Sequence, residues 1–135
     1  LHIRSQRNVL FTLKSLRASR KYGLEILSSD IGEGLYIGHA HNINVHPQAL
    51  IGKNCNLNKG CTVGRENRGK RTIGNEVWIG SNAVVVGRIV IGDDVLIAPN
   101  AYVNFDVPSH SVVVGNPGKI ISRENATEGY ITYKV

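Results

Sequence analysis

A six-residue unit recurs along most of this chain: an aliphatic residue, a small or turn-forming one, two polar ones, a small or medium apolar one, and a sixth of varied type. Ile79-Gly80-Ser81-Asn82-Ala83-Val84 is one copy and Ile91-Gly92-Asp93-Asp94-Val95-Leu96 is another. Copies begin at Ile31, Ile37, Val45, Ile51, Leu57, Val63, Ile73, Ile79, Val85, Ile91, Ile97 and Val103. A period of six fits neither an amphipathic helix nor a strand that alternates every second residue. It fits a solenoid in which each unit is a short strand plus a corner, and three units close one triangular coil. The first and fifth positions should face inward, and Gly, Asn or Asp at the second should turn the corner. The sequence thus predicts an all-β parallel β-helix.

Two interruptions break the period. Two extra residues, assigned to Ile43 and Asn44, fall between the second and third copies. A larger insertion follows Val63 and gives the run Gly64-Arg65-Glu66-Asn67-Arg68-Gly69-Lys70-Arg71-Thr72. This polar, basic run should protrude, either as a functional loop on a rigid scaffold or as a tolerated insertion.

At 135 residues the chain suits one domain. Its few aromatics match a narrow aliphatic core. No apolar run approaches the roughly 20 residues of a membrane span, and no secretory signal is visible. The chain starts at Leu1 and has no Met, so its native start is expected upstream. Cys55 and Cys61 fall at inward positions and form no C-x-x-C pair, which favours core packing and a reducing cytoplasm. Residues 1–24 carry Arg4, Arg7, Lys14, Arg17, Arg20 and Lys21 and no acid, while the remainder has ten basic and ten acidic residues, so the net +6 arises in that segment. It reads as a helix stopped at Gly23, with Val9, Leu10, Leu13 and Leu16 on one face. Its basic face is solvated or makes a weak membrane contact; nucleic acid is not an expected partner, because the segment lacks interleaved aromatics. The expected divisions are a basic helix over 1–24, the β-helix over 25–121 and a tail over 122–135.

His39, His41 and His46 cluster within eight residues. His39 falls on a corner, and stepping forward three units at a time leads to Lys59, Ser81 and Pro99 on the same corner of successive coils. With parallel strands about 4.8 Å apart, this column extends roughly 14 Å. A histidine heading such a groove could meet the reactive end of a long thin phosphopantetheine ligand. The alternative is an exposed corner histidine with no role.

Three segments now carry a family resemblance: Gly34-Leu35-Tyr36-Ile37-Gly38-His39-Ala40, Trp78-Ile79-Gly80-Ser81-Asn82, and the ending Val114-Gly115-Asn116-Pro117-Gly118-Lys119. They resemble the hexapeptide-repeat acyltransferases, in the branch of serine acetyltransferases and polysaccharide O-acetyltransferases. The resemblance implies a left-handed β-helix, a homotrimer with active sites between subunits, and acetyl-CoA as co-substrate with no metal. It implies that His39 is the general base for transfer of acetyl to a hydroxyl. Glu25, in Tyr22-Gly23-Leu24-Glu25-Ile26, would hold the imidazole tautomer, unless it is a solvated residue of the first coil. Ser81, Pro99, Asn104, Lys119, Lys59 and Trp78 would contact CoA, and His41, Lys70 and Arg71 the acceptor.

The acceptor expectation rests on departures from serine acetyltransferases. No histidine occupies Gly69-Lys70-Arg71-Thr72-Ile73, Gly38 replaces an acid before the catalytic histidine, and only a short basic helix precedes the repeat. These departures point to a sugar hydroxyl in bacterial surface polysaccharide biosynthesis, with serine O-acetylation of cysteine biosynthesis as the alternative. Two other readings compete: a γ-type carbonic anhydrase, with zinc held by histidines that include His41 and His46, and a non-catalytic β-helix.

Overall fold

The computed structural model describes residues 9–26, 30–64 and 73–135. Helix α1 spans Val9–Tyr22, with Arg20 and Lys21 in its last turn, where cations complement the helix dipole. Gly23 ends it in the left-handed region at φ +64°.

The repeats then wind into a left-handed parallel β-helix with three faces. The first face stacks Leu24–Ile26, Ile43–Val45, Thr62–Val63, Val84–Val85 and Tyr102–Val103 in parallel. The second pairs Asp30–Ile31 with Leu50–Ile51 and continues through Ile73, Ile91 and Val107. The third stacks Tyr36–Ile37, Asn56–Leu57, Val77–Ile79, Val95–Ile97 and Ser111–Val114, and Lys119–Ser122 closes it antiparallel.

Inward positions are as the period demands. The first positions Leu57, Val63, Ile73, Ile79, Val85, Ile97 and Val103 are fully buried, as are the fifth positions Ala49, Cys55, Cys61, Val77, Ala83 and Val95. This single column of aliphatic side chains, each touching the coil above and below, is the hydrophobic core. Burial pushes the Cys61 thiol up to about 12, because a thiolate there would lose its hydration.

Corner chemistry differs from expectation in one respect. In the units that begin at Ile51, Ile73, Ile79, Ile91 and Ile97 the left-handed residue is the fourth, not the second: Asn54, Glu76, Asn82, Asp94 and Asn100 all have φ between 51° and 62°. Asn and Asp tolerate that region better than most residues, which explains their recurrence. The second-position glycines serve close approach instead. A Cβ on Gly32 would lie 2.6 Å from the Gly52 carbonyl carbon, and one on Gly74 would lie 2.6 Å from the Gly92 oxygen.

The first interruption also falls elsewhere. Ile43 is fully buried and pairs with Leu24, while Asn44 pairs with Thr62, so Ile43 takes the inward place that Cys61 holds one coil on. The extra residues therefore lie within Gly38–Asn42, because burying Ile43 outweighs keeping an even corner. After Ser122 the chain returns along the third face. It passes Asp94, lays Tyr130 against Trp78 with ring centres 5.0 Å apart, and ends with Val135 bonded both ways to the Asn54 amide.

Candidate active site at the His39 corner

The strand register builds the groove without further assumption. Ile37 pairs with Leu57, Leu57 with Ile79, and Ile79 with Ile97. Two residues beyond each lie His39, Lys59, Ser81 and Pro99, stacked on the corner between the third and first faces. His39, Lys59 and Pro99 are exposed and Ser81 is half-buried. The next rung is the Gly115–Gly118 turn, held to the same corner by Tyr102 N–H donating to Gly115 O at 3.0 Å and Gly118 N–H donating to Tyr102 O at 2.9 Å. Exposed Lys119 follows directly. A histidine thus stands at one end of an open column and a lysine at the other.

The coil above closely supports the backbone just before His39. The Asn58 Oδ1 lies 2.7 Å from where a Gly38 Cβ would stand, and the Asn58 amide donates to Ile79 O at 2.9 Å. A side chain at position 38 would collide with this amide, which gives a local reason for the glycine before the histidine. Glu25 lies one coil below, on the first face. Its Oε2 accepts from Asn44 Nδ2 at 2.7 Å, and no hydrogen bond joins it to His39 among the described residues. Asn44 escaped notice in the sequence because it was assigned to the insertion; its register opposite Glu25 is the signal that finds it.

The remaining candidates are dispersed. His41 is the fifth residue of the unit that begins at Ile37, a position the period turns inward, but it is exposed on the His39 corner, with its ring edge-to-face against Tyr22 at 5.5 Å. His46 lies beyond the Ile43–Val45 strand on the following corner, where its Nδ1 accepts from Gln48 N–H at 3.1 Å. The zinc reading needed His41 and His46 together; no group of three metal-ligating side chains occurs among the described residues. Trp78 sits on the outer third face beneath Tyr130, covered by the chain's own tail rather than open on the column. Asn104 follows Val103 on the corner between the first and second faces, across one face from the column. The insertion leaves the first face after Gly64 and returns on the second at Ile73, so it springs from that same corner. Lys70 and Arg71 themselves lie outside the described residues.

Residues 72–104 match the family model of the bacterial transferase hexapeptide (six repeats). The serine acetyltransferase of Helicobacter pylori is 35% identical over 130 residues, covering 91% of this chain and 76% of that protein. The chain belongs to the hexapeptide-repeat acyltransferases, in their serine acetyltransferase-like branch. The serine acetyltransferase of Staphylococcus aureus is 38% identical over 112 residues, 79% of this chain and 53% of its own. Among solved structures, Neisseria gonorrhoeae serine acetyltransferase in complex with serine superposes with a TM-score of 0.61 at 34% identity over 69% of this chain. This hexapeptide-repeat chain spans 39% of that neisserial chain.

These relatives overturn the sugar acceptor and the polysaccharide pathway expected above. That expectation leaned on the missing histidine between Gly69 and Ile73, on Gly38 in place of an acid, and on a short leading helix. Identity that runs through nine-tenths of the chain outweighs all three, and it points to the serine branch of the hexapeptide-repeat acyltransferases. No helix among the described residues is long and apolar enough to cross a membrane.

Proposed function

We propose that this chain is a serine O-acetyltransferase, moving the acetyl group of acetyl-CoA to the hydroxyl of serine and releasing CoA as its thiol. The observation that carries the reading is the 35% identity to a serine acetyltransferase over 91% of the chain, including the His39 corner. His39 takes the serine hydroxyl proton as the oxygen attacks the thioester carbonyl. The tetrahedral oxyanion is stabilised by backbone N–H donors. It collapses by breaking the carbon–sulfur bond, and the imidazolium returns its proton to the leaving sulfur. The pantetheine arm lies along Lys59, Ser81 and Pro99, with the phosphates toward Lys119, where a charge-assisted contact is favourable. Glu25, fixed through one oxygen by Asn44, has its other oxygen to orient the imidazole as substrates close the site.

The working form is a trimer. The column occupies one corner, whereas Asn104 and the insertion bearing Lys70 and Arg71 spring from another. A threefold arrangement would set the first corner of one subunit against the second corner of its neighbour, giving the convex column a second wall. Measuring CoA release with serine and with a panel of nucleotide sugars and capsule oligosaccharides tests the acceptor. Serine is expected to lead in kcat/KM by about tenfold or more, a difference of one tenfold step in transition-state binding. A sugar that led, or silence with every acceptor, would overturn the proposal.

A further inference from the structure

The corner that carries His39 is built unlike those stacked on it. Gly38–Asn42 spans the turn with five residues where Asn58–Gly60 and Gly80–Asn82 use three, so the coil above does not match it residue for residue. From above it has two bonds, Gly38 N–H to Leu57 O at 3.2 Å and Gly60 N–H to His41 O at 2.9 Å. The remaining support comes from below, from the last turn of α1. Asn42 N–H donates to Tyr22 O at 2.9 Å, and the Tyr22 and His41 rings meet edge-to-face at 5.5 Å and 71°. Lys21 Nζ lies 5.2 Å from the centre of the same tyrosine ring. The contact reaches His39 through the backbone, because His41 N–H donates to His39 O at 2.8 Å.

We propose that Tyr22 and His41 form a clasp that positions His39, acting through the corner and touching neither serine nor acetyl-CoA. The inference rests on His39 being the base, as proposed above, and adds two positioning residues to that reaction. Its physical basis is that a general base works only within hydrogen-bond reach of the proton it removes, so a corner free to shift by about an ångström loses turnover while binding persists. Edge-to-face packing needs the rings and not the tyrosine hydroxyl. The helix therefore serves the chemistry as a brace for the catalytic corner.

Steady-state kinetics on the full chain with serine and acetyl-CoA test this, alongside thermal melting. Tyr22→Leu and His41→Ala should each lower kcat about tenfold with both KM values within about twofold, the pattern of a misplaced group and not of lost binding. Tyr22→Phe should retain activity within about twofold, since the ring contact survives. The double variant should be no slower than either single one, because each removes the same contact. Losses that multiply, a Tyr22→Phe as slow as Tyr22→Leu, or a His41→Ala that raises the KM for serine at unchanged kcat would each overturn the clasp. Should Tyr22→Leu fail to fold, exposed His41 still permits His41→Ala and His41→Gln, and unchanged kcat in both defeats the proposal. A wild-type chain inert toward serine would instead defeat the functional reading itself.

Discussion

The Asp94 carboxylate grips Thr127, 33 residues ahead in sequence, through two bonds to Oδ1: 2.9 Å from the Thr127 amide and 2.7 Å from its hydroxyl. Ala126 N–H and His110 Nδ1 reach the other oxygen at 3.0 and 2.9 Å. Burial alone would raise this carboxyl, but the bonds from Thr127, His110 and Ala126 outweigh it and hold it at about 2. Asp94 is thus the latch that fixes the returning tail to the β-helix. Asp94→Ala should cost about 1–3 kcal/mol, the usual penalty for stranding such donors. The tail after Ser122 should become the first site of proteolysis, while turnover per folded molecule stays near wild type.

The same bonds set a pH dependence. A carboxyl held below its ordinary value near 3.9 contributes stability that is complete above that value and lost as pH falls through the folded value. For Asp94 that window runs from about 4 down to about 2. The wild-type tail should resist pepsin at pH 4 and yield progressively below it, and Asp94→Ala should yield across the whole range. Equal cleavage of the two proteins at pH 4 would show that the latch holds nothing.

Burial gives the thiols a distinct signature. Cys55 and Cys61 are fully buried, and the Cys61 thiol is pushed up to about 12. Thiolate is the reactive form, so neither cysteine should label at pH 8 in the folded protein, and both should label once urea opens the coil. Rapid labelling of either in the native state would mean that the core column opens far more easily than its packing implies.

Much of this was legible in the sequence because a strict period converts numbering into position. The walk His39–Lys59–Ser81–Pro99 came from counting units, and the strand pairs reproduce it residue by residue. Counting failed where the period did. Ile43 and Asn44 were assigned to the interruption because only their number, and not the burial of Ile43, is visible in a string of letters. That single displacement hid the Asn44–Glu25 bond and set His41 inside the coil, when it stands outside against Tyr22. The tail was illegible for another reason: its bonds to Asp94, Asn56 and Asn54 follow no repeat. The acceptor was misjudged because a missing histidine, a glycine in place of an acid and a short leading helix say less about an acceptor than the likeness of the whole chain.

His39→Ala should leave a folded protein, since the exposed ring makes no hydrogen bond among the described residues. Its kcat should fall at least about 100-fold, the scale of a lost general base. Glu25→Gln should cost less, because it orients the imidazole without exchanging a proton. Near-normal turnover in His39→Ala would move the base elsewhere, and His41 would be the next to test.

Subunit complementation examines the shared site. His39→Ala damages the corner that bears the column, and Lys70→Ala with Arg71→Ala damages the insertion that springs from the other. If one subunit supplies the first wall and its neighbour the second, co-expressed variants recreate intact sites wherever an undamaged column meets an undamaged insertion. Random assembly in equal amounts makes both partners right in about one quarter of interfaces in a cyclic oligomer. Tagging the two variants differently and isolating the doubly tagged species separates mixed trimers from parental ones. Activity recovered there, well above either parent alone, is the expected result. A mixed species no more active than its parents would place both walls of the site in a single chain, and the trimer would lose its part in the chemistry.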